Sequence, residues 1–218
     1  MQMTMFKLGF QNAAIKAFKA LPCAFFLTVI TALSSPAFAD QEAEIFMSRV
    51  LVKANSAMAA QSEQERFTGV SELVDEYVDM RRTGRFVLGQ YARKMTRQQA
   101  EIYYPLFERF ATSIYQEVLS NYSGQELVVS GSVARSERDI IVFSRLANAK
   151  RGDPLADTNF QWRLYRTPDG LKVVDAGADN IWLAIEQRSQ FTAVVANNGG
   201  GTQGVDALIA QLQARLGE

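Results

Sequence analysis

Histidine is absent from the 218 residues, and cysteine occurs once, at Cys23. Without an imidazole there is no Ser-His-Asp triad, no usual zinc ligand set and no axial histidine for haem, so most hydrolase and metalloenzyme readings fall. A lone cysteine excludes an internal disulfide framework. Proline is also scarce, with five residues, and no proline-rich or low-complexity linker divides the chain. Charge of one sign is missing too: 23 basic residues balance 23 acidic ones. General nucleic-acid binding therefore has no electrostatic support. What is present is a 48% hydrophobic content, which excludes a disordered or collagen-like chain. This length fits one medium domain, and such a domain hides about 70% of its surface, enough for a core and a cavity.

The first 39 residues read as an export signal. Lys7, Lys16 and Lys19 precede the apolar run Leu21 to Leu33, and Ala37-Phe38-Ala39 offers a small-residue cleavage site before Asp40. That run, about 13 residues, is well short of the roughly 20 that span a bilayer. Leu21-Pro22-Cys23 is a poor lipoprotein signal, because more hydrophobic sequence follows it. Cleavage after Ala39 leaves residues 40–218 as a single domain without thiol, at a net charge of about −3, and places it in a bacterial periplasm.

Helical patterns reach to about residue 122, strand patterns run from about 125 to 178, and helices return to the end, which is an α+β order. Ser62 with Glu65, and Thr96 with Gln99, form capping boxes that predict helix starts. The second helix should run to about Tyr122, ended by Ser123-Gly124, with Pro105 as its one kink candidate. Four strands are predicted: Leu127, Val129, Gly131 and Val133 on one face of the first, Ile141 and Phe143 in the second, Phe160, Trp162 and Leu164 alternating in the third. Thr167-Pro168-Asp169-Gly170 then turns the chain into an antiparallel fourth strand from Leu171. Helices are predicted over Ile181–Ala196 and Val205–Leu216, separated by a glycine-rich joint at Gly199 to Gly201, and the loop 149–154 joins the second and third strands.

Around the long helix, apolar residues from Tyr103 to Tyr122 cover an arc of about 180°, wider than the roughly 100° of an ordinary surface helix. Either this helix is central and covered on several sides, or part of its surface faces an apolar ligand. Between Met80 and Ala100 lie Arg81, Arg82, Arg85, Arg93, Lys94 and Arg97 without one acid, just after Glu72, Asp75, Glu76 and Asp79. That run is either a solvated face or a contact for anionic lipid headgroups or an acidic partner. Asp175 with Asp179, or Glu72 with Asp75 and Asp79, could supply paired carboxylates, but neither set sits beside a nucleophile or in a calcium-loop spacing. Gly199 to Gly204 lacks the strand and the lysine of a phosphate loop.

Tyr77-Val78-Asp79-Met80, Val87-Leu88-Gly89-Gln90-Tyr91, the Gln99 to Tyr122 stripe, Phe160-Gln161-Trp162-Arg163-Leu164, Lys172-Val173-Val174-Asp175 and Arg188-Ser189-Gln190-Phe191 occur in one order. In that order they resemble the MlaC family of toluene-tolerance auxiliary proteins over about residues 42 to 216. Ala92 departs from the family's frequent tryptophan, and Ala178 to Trp182 replaces its usual turn. The resemblance implies a curved antiparallel sheet of about four strands, with helices before and after it enclosing an apolar pocket. It implies a periplasmic phospholipid carrier that works between an outer-membrane lipoprotein-porin complex and an inner-membrane ABC transporter and maintains outer-membrane lipid asymmetry. No cofactor and no covalent chemistry are implied, and a monomer is expected.

On that basis Phe107, Phe110, Ile114, Val129, Phe143, Trp162, Val173 and Phe191 are expected at acyl chains, and Arg81, Arg82 and Arg85 at a partner or headgroup. Other classes stay open: a carrier of another apolar lipid such as a hopanoid, a cone-shaped enzyme using Asp175 and Asp179, or an assembly protein without a cavity.

Overall fold

The computed structural model describes residues 39–120, 126–150 and 155–218. The expected export signal with Cys23, the helix stop at Ser123-Gly124, Tyr122 and loop residues 151–154 lie outside these, as do the side chains of Tyr115 and Val118. Among the described residues no helix is long and apolar enough to cross a membrane.

Among the described residues four helices come first: α1 (Gln41–Met58), α2 (Glu63–Tyr77), α3 (Met80–Leu88) and, after a 3₁₀ turn at Gly89–Arg93, α4 (Arg97–Ser120). Each start has a side-chain cap that satisfies free backbone donors. The N–H of Ala43 donates to Asp40, and that of Arg82 donates to Asp79. Both predicted capping boxes form: Glu65 N–H donates to Ser62 Oγ at 3.2 Å, and Gln99 N–H donates to Thr96 Oγ1 at 3.1 Å. Each box closes in return, through Glu65 to the Ser62 N–H and through Gln99 to the Thr96 N–H.

An antiparallel meander follows, β1 (Leu127–Ala134), β2 (Asp139–Leu146), β3 (Phe160–Thr167), β4 (Gly170–Ala178) and β5 (Ile181–Trp182), in that spatial order. The turn at Thr167 to Gly170 forms as predicted, with Gly170 at φ 113°. Two features differ from the expected sheet. A short fifth strand stands where a helix was expected to begin, because Asp179 and Asn180 at φ 49° and 68° reverse the chain and return Ile181-Trp182 against Gly177-Ala178. In β1 a bulge between Val129 and Gly131 shifts the register, so Leu127 and Val129 face one side while Gly131 and Val133 face the other. A second bulge, between Arg163 and Leu164, bends the β3–β4 pair.

Two helices close the chain: α5 (Leu183–Asn197) and α6 (Gly201–Leu216). The last helix begins four residues before the predicted Val205. Gly199 and Gly200, at φ 87° and 65°, make the sharp turn, and Gly204 N–H donates to Gly200 O at 3.1 Å, so the glycine run already feeds helical bonds.

Buried residues form two cores. One is purely helical: Val87 and Leu88 of α3, Tyr103, Leu106, Phe107 and Phe110 of α4, Phe191 and Val195 of α5, and Val205, Leu208 and Leu212 of α6. The broad apolar arc of α4 is thus explained by helices on several sides, since α4 packs against α2, α3 and α6. Tyr103 is fully buried there and its hydroxyl donates to Gly84 O at 3.0 Å. The second core lies between α1 and one sheet face, with Ala43, Met47, Val50 and Leu51 against Ile140, Val142, Leu164, Leu171 and Val173. Asp79 N–H donates to Val173 O at 2.9 Å and ties the start of α3 to the sheet.

Candidate functional site

The sheet face turned away from α1 floors a cleft of about 560 Å³. That volume lies within the roughly 300–1,000 Å³ of small-ligand pockets. The register defines this face. Val133, Ile141, Arg163 and Asp175 pair in succession across β1 to β4, so their side chains form one row on the same side. Gly131, Phe143, Gln161 and Gly177 form the next row.

Over the β3–β4 end of this face lie Arg82, Thr83, Arg85 and Phe86 from α3, Gly89, Gln90, Ala92 and Arg93 from the 3₁₀ turn, and Arg188 from α5, above Arg163, Tyr165, Val174 and Asp175. Thr83 fixes the roof to the floor, its hydroxyl donating to Val174 O at 2.8 Å. Gly89 adopts φ 56°, and a Cβ there would sit 3.1 Å from Arg188 Nε, so glycine leaves room for that guanidinium.

Five arginines meet in the cleft, and their partners differ. Arg163 makes a forked pair with Asp139, at 2.8 and 2.9 Å. Arg82 bonds Asp79 at 3.3 Å and lies 3.7 Å from the Tyr165 ring centroid. Arg188 lies over the Phe86 ring, 4.9 Å from the centroid. Among the described residues Arg85, Arg93 and Arg188 have no carboxylate within ion-pair distance. Asp175 is the cleft's acid. Burial raises it from 3.8 to about 6, against the lowering effect of N–H donors from Ala184 and Ala176 and of the Arg163 charge.

The residues expected at acyl chains do not converge. Phe107, Phe110 and Phe191 pack on one another in the helical core, with ring centroids 5.7 to 6.2 Å apart, and Ile114 packs beside them. Val129, Trp162 and Val173 belong to the core under α1, where the Trp162 indole N–H donates to Ser144 Oγ at 2.8 Å. Phe143 alone points to the cleft face, and none of the eight lines the cleft itself. Alternation marked these residues as inward, but a sheet covered on both faces has two insides, and their division depends on the bulges. Of the arginines expected at a partner or headgroup, Arg82 and Arg85 line the cleft, while Arg81 lies over the Tyr104 ring. Sequence reasoning missed Arg163 and Arg188; Arg163 alternates with Trp162 and reads as solvent-facing until the roof over it is known.

Three carboxylates of these sets, Asp175, Asp179 and Asp79, are engaged with backbone donors. Asp175 Oδ1 accepts from Ala176 and Ala184 N–H, both at 2.9 Å, and Asp179 Oδ1 accepts from Asn159 N–H at 3.0 Å. Asp79 caps α3. Among the described residues no cluster of three or more His, Cys, Asp or Glu is placed to hold a metal ion.

A sheet plugged on one face by a helix, and roofed on the other over a cleft of ligand size, defines an α+β binding protein. Comparison with known families assigns it further: the model described as MlaC protein matches residues 46–214, and the chain belongs to that family. It is 22% identical over 163 residues to the intermembrane phospholipid transport system binding protein MlaC of Haemophilus influenzae, covering 74% of this chain and 73% of that one. Its fold is similar to that of a phospholipid-binding protein from Ralstonia solanacearum solved in complex with a phospholipid, at a TM-score of 0.62 and 23% identity, over 83% of this chain and 100% of that one.

Proposed function

We propose that the protein binds a phospholipid on the cleft face of its sheet and carries it through the periplasm between an outer-membrane lipoprotein-porin complex and an inner-membrane ABC transporter, sustaining outer-membrane lipid asymmetry. The observation that carries this reading is the family match over residues 46–214. The geometry supports it in a specific way. The row Val133, Ile141, Arg163, Asp175 runs from apolar to charged across one sheet face, with Phe143 beside Ile141. Acyl chains then lie toward β1 and β2, and the headgroup toward the arginines. Each methylene withdrawn from water contributes about 0.8 kcal/mol, so retention needs no covalent step and no cofactor. The protein acts as a monomer after export and cleavage behind Ala39, and Asp40 is already the cap of the first helix.

The test is direct. Protein purified from the periplasm is extracted and its lipids identified by mass spectrometry; one phospholipid class at near-stoichiometric amount is the expected result. A hopanoid instead of a phospholipid, or no lipid in protein that also fails to take any up from vesicles, overturns the reading.

A further inference from the structure

Among the described residues three guanidinium groups without a carboxylate partner, Arg85, Arg93 and Arg188, line one cleft that holds two further arginines and a single acid. Like charges converging on a low-dielectric wall repel one another, and such a cluster focuses a positive potential into the space between them. In a chain with balanced charge this concentration is local.

Two of the five are also pre-arranged. Arg188 lies over Phe86 and Arg82 over Tyr165, 4.9 and 3.7 Å from the ring centroids, and a ring takes up none of the guanidinium's hydrogen-bonding to oxygen acceptors. Such a contact restrains the group before a ligand arrives, so less side-chain freedom is lost on binding. Arg163 is held by its fork to Asp139 on the floor. A carboxylate can occupy one fork at a time, whereas the oxygens of a phosphate point in several directions and can accept from several guanidinium groups together.

We infer that Arg85, Arg93 and Arg188, backed by Arg82 and Arg163, form a phosphate-binding site that selects cargo whose headgroup is net anionic over cargo whose phosphate is balanced by its own ammonium. This rests on the lipid reading above for its source of phosphate; the shared chemistry is a glycerol-linked phosphate, free or esterified. An ammonium tethered to the phosphate would have to enter among five arginines, or stay in water while the phosphate binds, and either way loses relative to a headgroup without one. Asp175 offsets at most one of the five positive charges, and its Oδ1 is held by two backbone donors, from Ala176 and from Ala184 at the start of α5.

The experiment uses delipidated full-length protein and vesicles of phosphatidylglycerol or phosphatidylcholine with identical acyl chains, reading uptake by native mass spectrometry. In parallel, calorimetry follows binding of glycerol 3-phosphate. Two charge-matched variants are compared: the cleft triple Arg85→Gln, Arg93→Gln, Arg188→Gln, and a control triple Arg49→Gln, Arg97→Gln, Arg109→Gln outside the cleft. All six positions are exposed or partly exposed, and thermal melts check the fold. The expected result is a preference for phosphatidylglycerol of at least about tenfold in wild type and control, falling to near unity in the cleft triple with phosphatidylcholine uptake unchanged. Equal uptake of both lipids by the wild type, or a preference that survives the cleft triple, overturns the site and leaves the lipid reading intact. If no lipid is taken up but glycerol 3-phosphate binds and the cleft triple abolishes this, the phosphate site stands with a soluble source and the lipid reading falls. If neither ligand binds, both fall.

Discussion

The carboxylate of Asp175, on β4, accepts a hydrogen bond from the N–H of Ala184, in the first turn of α5, at 2.9 Å. Trp182, the cap position just before α5, offers no side-chain cap, so a sheet residue satisfies this helix start from nine positions upstream.

A stability profile follows from this bond. Burial holds the Asp175 pKa at about 6, above its ordinary 3.8, so the unfolded chain ionises first as pH rises. Stability contributed by this group is full below about pH 4 and is lost through pH 6, by roughly 3 kcal/mol. Glu65 and Glu76, lowered by hydrogen bonds from Ser62 and Lys53, act in the opposite sense, so the informative quantity is the difference between variants. Asp175→Asn keeps the acceptor and should gain on the wild type between pH 4 and pH 7. Asp175→Ala, with the cap lost, should stay about 1–2 kcal/mol below Asn at all pH. Urea unfolding across this range checks both, and parallel wild-type and Asn curves would refute the assignment.

Ser144 is fully buried, and its hydroxyl is the acceptor for the Trp162 indole N–H at 2.8 Å, joining β2 to β3 under α1. Ser144→Ala leaves that donor unsatisfied and should cost about 1–3 kcal/mol. In a Trp162→Phe background the same change should cost much less, because no donor is stranded. A double-mutant cycle with a coupling energy near zero would show that the bond contributes nothing.

Gly204 lies where α6 meets α5. A Cβ at this position would come within 2.2 Å of Val195 O, a backbone atom that cannot rotate away. Gly204→Ala should therefore lower stability by about 1–3 kcal/mol despite alanine's better helix propensity. A melting temperature equal to the wild type would mean that α5 and α6 can separate at the glycine-rich joint Gly199 to Gly201 to make room for the added methyl group.

The parts of the fold legible in the sequence were those with local causes. Ser62 with Glu65 and Thr96 with Gln99 announce helix starts, and Pro168 with Gly170 announces a hairpin, because every partner lies within three residues. The β5 return was hidden because Asp179 and Asn180 take positive φ in a segment whose apolar residues suit a helix equally well. The site was only half legible. Arg82 and Arg85 stand out in a run without acids, but Arg163 and Arg188 join them only through the meander and the packing of α5 on α3. No local pattern encodes that meeting.

The same separation of faces decides between core and cargo. Phe110 is 2% exposed, wedged against Phe191 and under the Arg215 guanidinium, whereas Phe143 is partly buried on the sheet face that leads to the cleft. Arginine at Phe110 brings an unpaired charge into a closed apolar core beside an existing one, so Phe110→Arg should unfold the protein or lower its stability by several kcal/mol. Arginine at Phe143 can direct its head to water along the face, so Phe143→Arg should retain the far-UV circular dichroism and melting of the wild type to within about 1 kcal/mol. Its co-purified phospholipid, measured per mole of folded protein, should fall severalfold, because a charge now lies where the acyl chains are proposed to lie. If Phe110→Arg folds normally and loses lipid while Phe143→Arg keeps it, the cargo lies among the α4 aromatic residues and the cleft face is not its seat.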